Sequence, residues 1–292
     1  MKSELPRYVH VNGRLVSAHR PWISVFDRGF LYGDGLFETL RAYRGRVFGL
    51  QHHLSRLRMS ARFLGIALPH HDWAKEIAAL LARNRFLNAD AWVRITLTRG
   101  VAPPALPPTG GGQPTLIISA GPIHSSITRA QQLGVAVTLL PFARQGFLAE
   151  HKVLDYMPGV LGKAMAARHR AFEGLFVDNG SVTEGTTTNL FIWRGKQLVT
   201  PPVAGVLPGV TRRLVLKLAA DDGMQVAERR LSRRELLSAD EAFLTSSLVE
   251  VLPIVAVDAQ RIGTRQVGPR TARLQHLYRQ MVDQTLARAS RD

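Results

Sequence analysis

Only six of the 38 basic residues in this 292-residue chain are lysines, and one of them, Lys152 in AEHKVLDYMPGVLGKAMAAR, follows His151 just before a segment of helical character. A lysine that is partly buried near other cations loses affinity for its proton, and only the neutral amine attacks a carbonyl carbon, so this setting suits Schiff-base chemistry. A solvated lysine is the ordinary alternative. Glu184 in VTEGTTTNLF is either decoration of a Gly- and Thr-rich turn or, at a strand entrance, the carboxylate that a protonated pyridine nitrogen needs as its partner. In GVLPGVTRRLVLKLA, Pro208-Gly209 predicts a turn and Thr211 a cap for a helix whose first amides could hold a phosphate without side-chain charge; a plain N-cap explains that segment equally well. Thr245, Ser246 and Ser247 in LTSSLVEVLP would add hydroxyls to the same phosphate, although strand-end serines alone carry little information.

The surrounding pattern supplies the elements that must place these groups. Val9, Val11, Leu15 and Val16 flank Asn12-Gly13, the strongest short-range hairpin signal. In GDGLFETLRAY, Phe37, Thr39 and Arg41 alternate with Leu36, Glu38 and Leu40, so a strand sends the first trio to one face, and Gly45 marks a second turn. Leu50, Leu54, Leu57, Ala61 and Leu64 step by three and four, which predicts a helix with Arg56 one position off its apolar stripe. A second helix is predicted over about Asp72 to Phe86. Strands at Ala91 to Thr98 and Thr115 to Ser119 are separated by the long loop VAPPALPPTGGGQP, whose prolines and glycines can continue neither. The turn-rich segment SAGPIHSSI suggests a boundary, giving a small domain over 1–120, a linker over 121–129 and a larger domain over 130–292. The second half predicts helices over about Val160 to Phe172 and Thr211 to Asp222, strands around Phe176, Leu190 and Ala242 to Thr245, and a terminal helix using Leu274, Leu277 and Met281.

With 46% hydrophobic and 21% charged residues and a mean hydropathy of -0.01, the chain belongs to the folded globular class. Without cysteine it has no disulfide, thiolate nucleophile or Cys-ligated metal, and no metal is expected. MKSELPRYVHVNGRL has no apolar run, and no window approaches eighteen apolar residues, so a cytoplasmic protein without a membrane partner is expected. The formal charge of +16 would attract nucleic acid. However, the cations (Arg7, Arg46, Arg94, Arg144, Arg194, Arg261) are dispersed, and the 7% of aromatic residues do not interleave with them, so an anionic small molecule is the better partner. A basic binding module without catalysis is the contrasting class, favoured if Lys152 carries no cofactor.

Six segments occur in order across about residues 22 to 254: FDRGFLYGDGLFETLR, HLSRLRMSA, HKVLDYMPGVLGKA, TEGTTTNLF, LPGVTR and LTSSLVEVLP. In this the chain resembles the fold-type IV pyridoxal-phosphate enzymes, which include branched-chain aminotransferases, D-amino acid aminotransferases and aminodeoxychorismate lyases. The resemblance implies a mixed α/β fold, with a small N-terminal α/β domain and a larger C-terminal domain of a β pseudo-barrel and surrounding helices, pyridoxal 5′-phosphate as cofactor, and a homodimer. It implies that Lys152 carries the cofactor as a Schiff base, that Glu184 pairs with the pyridine nitrogen, and that Tyr156 hydrogen-bonds the phenolic oxygen. It further implies that Arg56 holds the phosphate along with the amides of Val210 and Thr211 and the pair Ser246 and Ser247.

The branch is harder to read. The glycine-rich loop that follows the lysine in branched-chain aminotransferases is missing, LDYM standing in its place, which argues against that branch. The Arg-x-His carboxylate trap of the best-known D-amino acid enzymes is also absent, since Thr98-Arg99-Gly100 is followed by VAPPALPP. Arg94 and Arg28 are then the candidates for a substrate carboxylate, with Phe37 and Thr39 beside them. The preferred expectation is an aminotransferase exchanging an amino group between a D-amino acid, or a related amine, and a 2-oxo acid. A lyase that makes 4-aminobenzoate and pyruvate from aminodeoxychorismate is the alternative, because a hydroxyl at Thr39 could assist proton delivery.

Overall fold

The computed structural model describes residues 6–106, 112–144 and 146–288, which form two compact units: one of Met1–Ile123 with His151–Asp155, the other of His124–Glu150 with Tyr156–Asp292. Part of the long loop expected after residue 100, residues 107–111, lies outside the described residues.

In the first unit, β1 (Tyr8–Val11) turns into β2 (Arg14–Ser17) through Asn12 and Gly13 at φ 47° and 81°, the two left-handed residues that a tight hairpin demands. The short helix α1 (Arg28–Tyr32) is capped by Asp27, whose carboxylate accepts from the Gly29 amide. Then follow β3 (Gly35–Tyr43), β4 (Arg46–Val47), α2 (Leu50–Leu64), α3 (Trp73–Arg83), β5 (Ala91–Thr98) and β6 (Thr115–Pro122). The strands form an antiparallel sheet in the order β2-β1-β6-β5-β3-β4. On β5 the side chains of Ala91, Val93, Ile95 and Leu97 are buried, while Trp92, Arg94 and Thr96 are half-buried on the other face. Direct register pairs share a face, so Phe37↔Thr96, Thr39↔Arg94 and Arg41↔Trp92 put the predicted trio on the half-open side. Helix α2 buries its Leu54, Leu57 and Ala61 stripe as predicted, and also His53, Arg56 and Ser60.

The second unit contains α4 (Ser126–Leu133), β7 (Val135–Leu140), α5 (Met157–Arg168), β8 (Glu173–Asp178), β9 (Ser181–Gly185), β10 (Asn189–Arg194) and β11 (Gln197–Thr200). It continues through α6 (Val210–Asp221), β12 (Gln225–Glu228), β13 (Leu231–Ser232), α7 (Arg233–Leu237), β14 (Glu241–Ser246), β15 (Glu250–Val257), β16 (Gln260–Arg261) and α8 (Pro269–Arg288). Strands β10, β14, β15, β7, β8 and β9 pair in sequence, and β9 returns to β10 through Asn189↔Glu184. The ring so closed is the expected pseudo-barrel, and its closing register pair contains the candidate glutamate. Val137, Leu175, Val182, Leu190, Leu244 and Leu252 belong to its buried core, each worth roughly 1.5–3 kcal/mol of burial. Two expectations change. The segment read as a linker includes the start of α4, and α8 buries Leu274, Tyr278 and Val282, at steps of four, in place of Leu277 and Met281. Among the described residues no helix is long and apolar enough to cross a membrane.

Candidate active site

In the first unit the backbone of Lys152 is pinned to β3. Its carbonyl accepts from Phe37 N at 2.9 Å and Leu154 N donates to Gly35 O at 2.9 Å, so residues 152–154 run antiparallel to the start of β3, with Leu36 and Val153 bridged. A Cβ on Gly35 would fall 2.5 Å from Leu97 O and 2.6 Å from Leu154 Cδ1, so only glycine lets the segment come this close. The preceding His151 is buried, its Nδ1 3.0 Å from Ser60 Oγ and its ring stacked on Phe63 at 4.1 Å. The Lys152 Nζ lies 4.3 Å from the centre of the Phe37 ring, and the Arg94 guanidinium carbon lies 3.8 Å from the same centre. One aromatic ring thus has both an amine and a guanidinium against it, with Thr39 directly across from Arg94.

Behind this strand is a buried charge cluster that the sequence reading missed. Glu38 is 1% exposed and receives Arg56 Nε on Oε1 at 2.7 Å and Arg56 Nη2 on Oε2 at 2.6 Å, with His53 Nδ1 2.7 Å from Oε2. Burial pushes the Glu38 carboxyl up, but the Arg56 charge and the hydrogen bonds from Arg56 and His53 outweigh it and hold Glu38 at about 2. Burial also lowers His53, against the pull of Glu38, with the charges of Arg56 and Lys152 adding to the lowering. A bidentate carboxylate fixes the plane of a guanidinium, so Arg56, the expected phosphate ligand, has its orientation set by β3.

Arg28, the other candidate for a substrate carboxylate, is bound to groups of the protein. It is 4% exposed; Nε donates to Asp34 at 2.7 Å, Nη1 and Nη2 donate to the carbonyls of Ala105 and Leu106 at 2.6 and 3.1 Å, and the group lies over the Tyr32 ring. Arg99 shares Asp34 and also donates to Leu64 O and Gly65 O. The two arginines tie the loops after β5 and α2 to one carboxylate, because buried guanidinium donors must find acceptors.

In the second unit Glu184, 2% exposed on β9, receives Arg144 Nη1 on Oε1 at 2.8 Å, and on Oε2 the Leu207 amide at 3.0 Å and Asn189 Nδ2 at 3.3 Å. A cation and two neutral donors thus converge on this one carboxylate. Tyr156, at the N-cap of α5, donates to Thr186 O at 2.5 Å with Arg144 over its ring. Thr211 is not the cap that the sequence suggested. Helix α6 starts at Val210, Thr211 is buried in its first turn, and the N-cap Gly209 offers no side-chain acceptor. A Cβ on Gly209 would fall 2.0 Å from Asn189 Oδ1, so packing excludes Ser or Asp there and leaves the amides of Val210 and Thr211 uncapped. Ser246 ends β14 and Ser247 follows it, and Thr245 Oγ1 beside them is buried with no hydrogen-bond partner among the described residues. Two other lysines are committed elsewhere: Lys163 Nζ donates to Phe172 O at 2.7 Å and pairs with Glu173, and Lys217 pairs with Asp221 at the surface.

Taken unit by unit, these groups suit the parts of a phosphorylated pyridine aldehyde. Within the second unit, uncapped helix amides and an orphaned hydroxyl suit an anion, a buried carboxylate suits a protonated ring nitrogen, and the Tyr156 oxygen, its hydrogen given to Thr186 O, can accept from a phenolic hydroxyl; within the first, an amine suits an aldehyde and a braced guanidinium suits an anion. Asn189, Arg144 and Glu173, like Glu38, were not singled out from sequence. Asn189 stands within TEGTTTNLF and was legible only as part of that motif.

Comparison with known proteins agrees with this chemistry. The family model for amino-transferase class IV matches residues 35–257. A D-alanine aminotransferase of Bacillus licheniformis is 33% identical over 90% of this chain and 93% of its own, and an aminodeoxychorismate lyase of Bacillus subtilis is 30% identical over 94% of each. The branched-chain aminotransferase of the archaeon Thermoproteus uzoniensis, solved with norvaline, superposes with a TM-score of 0.86 at 29% identity, covering 95% of each chain. The chain therefore belongs to the class IV aminotransferases, the fold-type IV enzymes that work with pyridoxal 5′-phosphate.

Proposed function

We propose that the protein is a pyridoxal-phosphate-dependent aminotransferase, a cytoplasmic homodimer that moves an amino group between a D-amino acid, or a related amine, and a 2-oxo acid. The observation that carries this reading is the pair of cations on one ring, Lys152 Nζ at 4.3 Å and Arg94 Cζ at 3.8 Å from the centre of Phe37. An amine that can exchange with a substrate amine, against the same ring as a guanidinium that can take a carboxylate, matches the two ends of an amino acid. The bound cofactor supplies an electron sink for the substrate α-carbon.

The chain's own residues do the rest. With the cofactor bound, Lys152 would be the base placed to take and hand on the substrate α-proton, a role suited to an amine whose backbone is pinned to β3. Glu184, hydrogen-bonded by Arg144, Leu207 N and Asn189, would hold a proton on the ring nitrogen. Tyr156 would contact the phenolic oxygen. The amides of Val210 and Thr211, Ser246, Ser247 and the Glu38-braced Arg56 hold the phosphate. Arg94 takes the substrate carboxylate, with Phe37 and Thr39 beside it, and Arg28 joins Asp34 to the loop after β5. Dimerisation is supported by a run of exposed apolar residues, Trp22, Ile23, Val25, Phe26, Phe30 and Leu31, of a kind that isolated monomers seldom leave in water.

A second reading rests on Thr39, whose place opposite Arg94 puts a hydroxyl where a lyase could deliver a proton, and relatives named for lyase, D-alanine and branched-chain activities are all present. The test mixes holoenzyme with D-alanine, L-leucine, (R)-1-phenylethylamine or aminodeoxychorismate and follows the cofactor spectrum and pyruvate. Conversion by D-alanine or the amine, with a 2-oxo acid restoring the starting spectrum, supports the proposal. Conversion by L-leucine alone reassigns the substrate, and pyruvate released from aminodeoxychorismate without any acceptor makes the protein a lyase.

A further inference from the structure

Glu173, the first residue of β8, is a fully buried carboxylate at 0% exposure that the chemistry above does not use. Six donors surround it. Oε1 accepts from the Thr186 hydroxyl, from Gly174 N at 3.1 Å and from Lys163 Nζ at 3.3 Å, while Oε2 accepts from Thr187 Oγ1 at 2.8 Å, Thr187 N at 3.3 Å and Thr188 Oγ1 at 3.4 Å. Every hydroxyl of the threonine run thus points at one residue. The run joins β9 to β10, with Gly185 N donating to Thr188 O at 2.7 Å and Thr186 N to Gly174 O at 3.0 Å. A Cβ on Gly185 would fall 2.2 Å from Thr188 Oγ1 and 2.9 Å from Glu173 Cγ, so the closeness of carboxylate and turn is built into the sequence.

Both ends of this turn reach groups assigned to the cofactor ring. Thr186 offers its hydroxyl to Glu173 and its carbonyl to Tyr156, and the residue after Thr188 is Asn189, whose amide donates to Glu184. We propose that Glu173 is a positioning residue that fixes the 186–188 turn and through it orients both Tyr156 and Glu184 toward the cofactor ring. This rests on the reading of those two residues given under the proposed function. A buried polar network with all its members satisfied allows one geometry, whereas one left half-satisfied relaxes to several.

Glu173→Gln keeps the shape of the side chain but turns two amide hydrogens toward groups that are themselves donors. Thr186→Val removes one hydroxyl at nearly constant volume and serves as the milder second variant. In each holoenzyme the visible band is titrated and cofactor dissociation measured, with urea unfolding of the apoprotein followed alongside; Tyr156→Phe and Glu184→Gln are the references. Both variants are expected to shift the spectral pKa in one direction by about half a pH unit or more and to weaken cofactor binding about tenfold, roughly the loss of one hydrogen bond. A folded Glu173→Gln or Thr186→Val protein with wild-type titration and affinity, while the references move, would show that Glu173 only stabilises the barrel and would overturn the proposal. If the references themselves leave the band in place, the reading of Tyr156 and Glu184 fails, and the role of Glu173 toward them fails with it.

Discussion

Replacing Glu38 by glutamine should expose how strongly the first unit depends on one buried carboxylate. The pair is out of water, Glu38 at 1% and Arg56 at 8% exposure, and joined by two hydrogen bonds of 2.7 and 2.6 Å. Stranding a buried guanidinium costs about 3–5 kcal/mol. The titration gives a similar size: a carboxyl moved from 4.5 to about 2 contributes about 3 kcal/mol at neutral pH. Because the folded pKa is depressed, this contribution is complete above 4.5 and disappears as the pH falls toward 2. About 1 kcal/mol is gone by pH 4 and about 2 by pH 3. Urea unfolding is compared with and without Glu38→Gln, in each case on a His53→Gln background so that the imidazole does not titrate. The two proteins should show a stability gap of several kcal/mol at pH 7 that narrows by about 1 kcal/mol at pH 4. A gap that stays constant between those pH values would mean that the carboxylate is not held ionised by Arg56, and the account of the brace would be wrong.

Glu184→Gln should leave the fold intact and slow α-proton removal about ten- to over a hundredfold, the value of one charge-assisted hydrogen bond of roughly 1.5–3 kcal/mol; unchanged single-turnover rates would remove Glu184 from the chemistry. Arg94→Ala should weaken reaction with a D-amino acid and spare an amine without a carboxylate, while Arg28→Ala should lower both alike, since its donors serve Asp34 and the loop. Equal losses for Arg94→Ala would make it structural. Thr39→Val should leave amino-group transfer nearly unchanged, and a selective loss of pyruvate release would favour the lyase reading.

Regular elements were legible where one apolar face dominates. The 50–64 stripe, the 91–98 alternation and the Asn12-Gly13 turn each follow from local spacing, and the structure has all three. The buried polar network was not legible in the same way. Glu38 alternates with Leu36 and Leu40 on β3, and its partners stand 15 and 18 residues further on, off the apolar stripe of α2. The available signal was a carboxylate on the same strand face as two leucines, which needs a buried cation. Glu173 was hidden similarly: its three threonine partners lie 13–15 residues downstream and read locally as a turn. Arg28 and Arg94 look alike in sequence; only Asp34 and two loop carbonyls distinguish them.

The central claim is that Lys152 is the amine that carries the cofactor. Borohydride reduction of the yellow holoenzyme, followed by peptide mapping, should place the pyridoxyl label on Lys152, and Lys152→Ala should lose both label and visible band. A label found on Lys163 or Lys217, or a Lys152→Ala protein that keeps its band, would contradict the account.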